Sequence, residues 1–160
     1  MVILELETRI AAPAMRVFLL SLSIDLHVES AGKTRERAVS GVTHGLIGLG
    51  QSVTWRGKHF GMMLTHTSLI TRYEAPLFFE DVMTRGLFRS FEHLHYFEQH
   101  ADVTSIRDRL IFQAPLGPLG LVAERLVLRD YFQRFLMERN GIIKQVAESQ
   151  EWRRYLPSLK

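Results

Sequence analysis

The chain has 160 residues, 46% hydrophobic and 23% charged, which suits one core-forming domain over residues 1–160 and excludes disordered or fibrous structure. Twenty basic residues against 17 acidic ones leave a formal charge of +3, and no basic run exceeds Arg153-Arg154, so no nucleic-acid footprint is present. The absence of cysteine removes disulfides, thiolate nucleophiles and cysteine zinc sites, and suits a reducing cytoplasm.

Met1 to Ile10 alternates, with Val2, Leu4, Leu6, Thr8 and Ile10 on one face and Ile3, Glu5, Glu7 and Arg9 on the other, which predicts a half-buried first strand. Pro13 suits the first turn of a helix carrying Val17, Phe18 and Leu20, and a second short helical turn is expected over Ile24 to His27. The apolar stretch from Val17 to Ile24 is too short to span a bilayer, and the start lacks a basic segment followed by an apolar one. Neither export nor membrane insertion is expected.

From Lys33 to His100, glycine and proline punctuation predicts an antiparallel meander: one strand holds Val53 and Trp55, one or two lie within Phe60 to Tyr73, and another runs from Phe78 to Met83. The glycine series from Gly41 to Gly50 lacks the spacing of a phosphate-binding loop and reads as a loop or a pocket lid. Gly86 to His100 and Asp102 to Ala114 predict a hairpin in which Phe97 pairs with Thr104, His95 with Ile106, His93 with Asp108 and Phe91 with Leu110. Leu121 to Ser149 then predicts a long helix whose stripe is Leu128, Tyr131, Phe132, Phe135, Ile142, Ile143 and Val146, with Arg139 at its centre. The expected class is α+β: a curved antiparallel sheet closed by that helix.

The order strand, two short helices, meander and long helix resembles the SRPBCC or helix-grip superfamily, which includes birch-pollen-allergen-like, START-like and polyketide-cyclase-like domains. Thr8 to Phe18, Gly50 to Gly61, Ala75 to Phe97, Thr104 to Gly120 and the pair Arg139-Asn140 are similar to a bacterial ligand-binding branch of it. The resemblance implies a helix-grip fold with an internal cavity between sheet and helix. One departure is the turn from Gln99 to Val103, where glycine is expected and Gln-His-Ala-Asp stands.

His93, Asp108 and Arg139 are polar residues on faces otherwise carrying aromatics, and a buried polar group needs a partner. They read either as a site, with Asp108 orienting His93 and Arg139 attracting an anionic or carbonyl group, or as a structural ion pair locking helix to sheet. Trp55, Phe91, His95, Phe97, Phe112, Phe132 and Phe135 complete the candidate ligand-binding set, the aromatics serving equally as ordinary core. His93-Leu94-His95 has a metal-compatible spacing with Asp108 and His59 as candidate partners, but no second motif element accompanies it, and neither metal nor cofactor is expected.

Three functions follow: binding of a small apolar or amphipathic molecule, a cyclase or dehydratase using His93 as general base, or a non-catalytic interaction module with a filled core. The chain is expected to be a monomer or weak homodimer.

Overall fold

The computed structural model describes residues 1–115 and 117–156; Leu116, inside the segment Thr104 to Gly120 named above, lies outside them. Seven strands form one antiparallel sheet: β1 (Val2–Ile10), β2 (Arg37–Gly41), β3 (Ser52–His59), β4 (Met62–Glu74), β5 (Phe78–Arg85), β6 (Ser90–His100) and β7 (Val103–Gln113). Their spatial order is β1-β7-β6-β5-β4-β3-β2. Between β1 and β2, α1 (Ala14–Ser21) and α2 (Ile24–Ser30) carry the chain from one edge of the sheet to the other. From there the meander returns strand by strand until β7 pairs with β1.

Proline stands just before α1, and Ser23 caps α2 by accepting the Leu26 N–H at 3.3 Å. The second helix is longer than the turn expected from Ile24 to His27. The closing helix begins earlier than the sequence suggests: α3 (Gly117–Ala123) has Pro118 in its first turn, where the ring's missing N–H has no helical partner to lose. A π-helical turn, Glu124–Leu128, then leads into α4 (Arg129–Glu148). The Glu124 carboxylate accepts the Ala114 N–H at 2.7 Å and so ties the end of β7 to this turn. A four-residue helix, α5 (Trp152–Tyr155), ends the described chain.

Buried positions on α4 are Leu136, Arg139, Asn140, Ile143, Val146 and Ala147, the three-and-four spacing of one helix face. Tyr131, Phe132 and Phe135, one or two turns earlier on the same stripe, are only half-buried. The helix therefore packs tightly over its C-terminal half and stands off the sheet over its N-terminal half.

The core has two apolar clusters. One gathers Ile10, Phe18, Phe79, Phe97, Ile106, Ile143 and Trp152 with their neighbours. The other holds Val2, Leu4, Leu110, Phe112 and Leu136, with Phe88, Phe91 and Phe132 against it. Between them, on each contributing element, stand polar residues: Thr8 on β1, Asp108 on β7, His93 and His95 on β6, and Arg139 and Asn140 on α4.

The β6–β7 register differs from the expected one by two residues. His95 faces Asp108, His93 faces Leu110, Phe91 faces Phe112 and Phe97 faces Ile106. The cause is a turn centred one residue later, at Ala101-Asp102 and closed by the pair His100–Val103, in which Ala101 adopts φ 51°. That left-handed conformation is where glycine was expected, and alanine accepts it at a cost. Because the shift is even, every side chain keeps its face. Ala101→Gly is expected to stabilise the fold by about 0.5–1 kcal/mol. Urea unfolding of the two proteins measures the difference, and a less stable glycine variant would contradict this account of the turn.

Candidate functional site

Standing the N-terminal half of the closing helix off the sheet leaves a cavity of about 360 Å³. Most of its wall is apolar, with Trp55, Ile70, Phe79, Phe91, Phe132 and Phe135 among the lining residues. Five of the chain's seven histidines also face it: His27, His59, His66, His93 and His95. They fall into two acid-centred groups and one separate ring.

The first group is built around Asp108, which is 1% exposed. His93 donates from Nε2 to Asp108 Oδ1 at 2.9 Å. His95 Nδ1 lies 2.8 Å from the same oxygen, off the axis of a well-directed hydrogen bond. Asn140 donates from Nδ2 to the other oxygen at 2.6 Å and reaches Thr8 Oγ1 at 3.2 Å. Arg139 approaches Oδ1 at 3.9 Å and donates to the Ser21 carbonyl at 3.1 Å. Across the sheet, His95 Nε2 meets Asp81 Oδ2 at 3.2 Å, and its ring stacks on Phe79 with centroids 4.1 Å apart.

Asp108 is buried and Asp81 half-buried, which alone pushes each pKa up. For Asp108 the two imidazoles, His93 through its hydrogen bond and His95 through its close approach, outweigh burial and hold the group well below the usual range. Asp81 is likewise held low, burial being overcome by the His95 hydrogen bond and by the charges of His93, His95 and Arg139. His93 moves down: burial and the neighbouring His95 prevail over the pull of Asp108 and Asp81. Its neutral ring gives Nε2–H to Asp108 and leaves Nδ1 as the nitrogen with a free lone pair.

The second group centres on Glu36. His27 Nε2 donates to Oε2 at 2.9 Å, and His59 Nε2 lies 3.0 Å from Oε1. His59 Nδ1 meets the Tyr131 hydroxyl at 2.5 Å, which joins the end of β3 to the start of α4. His27 stacks on Trp55 with centroids 4.1 Å apart. Gly57 makes room for the acid, since a Cβ there would stand 2.5 Å from Glu36 Cγ. The separate ring, His66, bonds Ser68 Oγ at 2.9 Å, and burial drives its pKa down.

Of the residues expected at the site, Trp55, Phe91, His93, His95, Phe132, Phe135 and Arg139 line the cavity. Phe97 and Phe112 stand behind the wall in the two packed clusters, and Asp108 touches the histidines from behind rather than lining the space. His59 does not join the His93–His95 pair, because its strand carries it to Glu36 and Tyr131. Asp81, Glu36, His27, His66 and Asn140 escaped the reading of roles from sequence. The glycine-rich loop is tied down rather than standing as a lid: Gly45 donates its N–H to Asp25 Oδ2, and Ile47 is buried against the cavity.

No protein-family model matches the chain, and no curated protein does. Solved structures do. A protein of Thermus thermophilus superposes at TM-score 0.73 with 16% identity, over 92% of this chain and 100% of its own. A START superfamily protein of Mycobacterium smegmatis gives TM-score 0.68 at 10% identity, over 90% and 98% of the two chains. The chain has the helix-grip fold. Ginseng major latex-like protein 151 of Panax ginseng shares this helix-grip architecture at TM-score 0.65 and 13% identity, over 92% of this chain and 98% of that one. At such identities the likeness carries the fold, while chemistry has to be argued from the cavity itself. Among the described residues, no helix is long and apolar enough to cross a membrane.

Burial pushes the Glu36 carboxyl up, but hydrogen bonds and charge from His27 and His59 bring it from 4.5 down to about 2. A depressed acid contributes stability above its unfolded pKa and loses it as pH falls through the folded value. The stability difference between wild type and Glu36→Gln should therefore be full above pH 4.5 and shrink by about 3 kcal/mol as pH falls to about 2. Urea unfolding across that range checks it, and a difference independent of pH would remove Glu36 as the charged centre.

Proposed function

We propose that the protein binds one small, largely apolar molecule between the sheet and α4, with the polar end of that molecule held near Arg139 and His93. The observation that carries this reading is the composition of the wall: aromatic and aliphatic side chains enclose a volume of about 360 Å³ in which buried polar groups gather at discrete places. Apolar burial supplies affinity, and a few placed polar groups supply orientation. Arg139 suits a carboxylate, phenolate or carbonyl, and its 8% exposure makes a charge-assisted bond there stronger than one in water. A core filled by aromatic rings, the third alternative, fits a hollow of this size poorly. The cysteine-free composition suits a cytoplasmic setting.

Native mass spectrometry of the gently purified chain should show a retained small molecule. In solution, decanoate should displace an anilinonaphthalene-sulfonate probe more strongly than decanol does. Arg139→Met should remove that preference, weakening decanoate about tenfold or more while leaving decanol nearly unchanged. Equal losses for both compounds would place the polar anchor elsewhere, and failure of the probe to bind at all would reject the cavity as a binding site.

A second reading, a cyclase-like or dehydratase-like enzyme, is favoured by one specific arrangement. His93 has its pKa lowered, and a buried carboxylate at Nε2 orients the ring so that Nδ1 is the basic nitrogen. That is the configuration of a general base. Arg139 would then stabilise enolate charge. With a cyclisable polyketide-like substrate, His93→Ala should abolish turnover with the fold intact by circular dichroism. Unchanged turnover would exclude His93 as the base.

A further inference from the structure

We propose that Asp81, His93 and His95 form a binding site for a divalent transition-metal ion, zinc or a metal of similar ligand preference, on the cavity wall. One potential ligand atom from each of the three lies within 4.8 Å of the other two. A carboxylate and two imidazoles are the donor set that such ions take, with further coordination positions left open. The sequence pattern His93-Leu94-His95 supplied only two donors. Asp81 comes from β5, where it pairs directly with His93 across the sheet.

The orientation of the rings points the same way. Histidines that bind metal characteristically give their other ring N–H to a carboxylate or carbonyl, which fixes tautomer and direction. Here one buried carboxylate serves both rings: Asp108 Oδ1 accepts from His93 Nε2 at 2.9 Å and lies 2.8 Å from His95 Nδ1. The nitrogens left for a cation are His93 Nδ1 and His95 Nε2, and the latter already stands 3.2 Å from Asp81 Oδ2. Asp108 is itself held by Asn140 at 2.6 Å, so the supporting layer is rigid. All three proposed ligands line the cavity, which leaves the remaining coordination positions to water or to a bound molecule.

Charge adds an independent reason. The group holds two carboxylates, Asp81 and Asp108, and one guanidinium, Arg139, which stands 3.9 Å from Asp108. A dication on the cavity side would stand beside an acid that already needs a partner where it is half-buried. The ion would replace the Asp81–His95 hydrogen bond with two coordinate bonds, the proton of the neutral ring then standing on Nδ1 beside Asp108.

The test uses the full chain, stripped with chelator and given metal chloride alone, so its outcome does not depend on whether an organic ligand binds. Zinc titration by calorimetry should give one site. Cobalt(II) should produce visible absorption bands and should broaden the imidazole NMR signals of His93 and His95 most strongly. Asp81→Asn and His95→Gln should each weaken zinc binding at least tenfold, and Asp108→Asn, acting through the ring orientations, should weaken it about 10–100-fold. His59→Gln, in the Glu36 group, should leave it unchanged. No zinc binding by the wild-type chain, or strongest broadening at His44, His100 or the Glu36 histidines, would overturn the proposal, and this wild-type measurement decides even if a variant fails to fold.

Discussion

The interior of this protein is organised by one buried carboxylate. Asp108 stands almost wholly out of water on β7, between β1 and β6, and an isolated charge in that position is strongly unfavourable. Its partners come from the strand beside it and from the helix above it: His93 and His95 on β6, Asn140 and Arg139 on α4. Through them the same group reaches β5 by way of Asp81, β1 by way of Thr8 and α1 by way of the Ser21 carbonyl. Removing one partner from such a set typically costs about 3–5 kcal/mol, because the charge that stays behind is left uncompensated. The belt therefore fixes how the closing helix sits on the sheet, and it separates two apolar clusters that would otherwise merge.

That separation shapes the cavity. The helix is pinned at Arg139 and Asn140, and it is held again through Tyr131 by the Glu36 group. The two anchors are eight residues apart, about 12 Å along a helix. Between them lies Phe135, half-buried because it faces the cavity rather than a packed layer. The hollow is thus apolar along its middle, with an acid and histidines at separate points along its length.

Much of this was legible in the sequence, for identifiable reasons. The alternation from Val2 to Ile10 and along β6 and β7 assigns faces correctly, since side-chain period alone determines them. His93, Asp108 and Arg139 stand out because each is polar within an apolar stripe. The hairpin register was not legible, because it depends on Ala101 adopting a left-handed conformation that its side chain disfavours. A two-residue offset keeps the face, so His93 and Asp108 still meet, now as diagonal neighbours with His95 directly opposite the acid. Asp81 and Glu36 gave no such signal. Asp81 lies on β5, where neighbouring Phe79 and Glu80 are both buried and the alternation is lost, and its partners are set by the pairing of β5 with β6. Glu36 stands just before β2 and is brought to His59 and His27 only by the fold, with Gly57 leaving space for it.

The account depends on Asp108 being an ionised acceptor that dictates the orientation of the His93 ring. The most direct measurement is a long-range nitrogen–proton correlation spectrum of the histidine side chains at neutral pH. It should show His93 as a neutral ring with its proton on Nε2 and a bare Nδ1. A His93 ring carrying its proton on Nδ1, with a bare Nε2 facing the carboxylate, would contradict it.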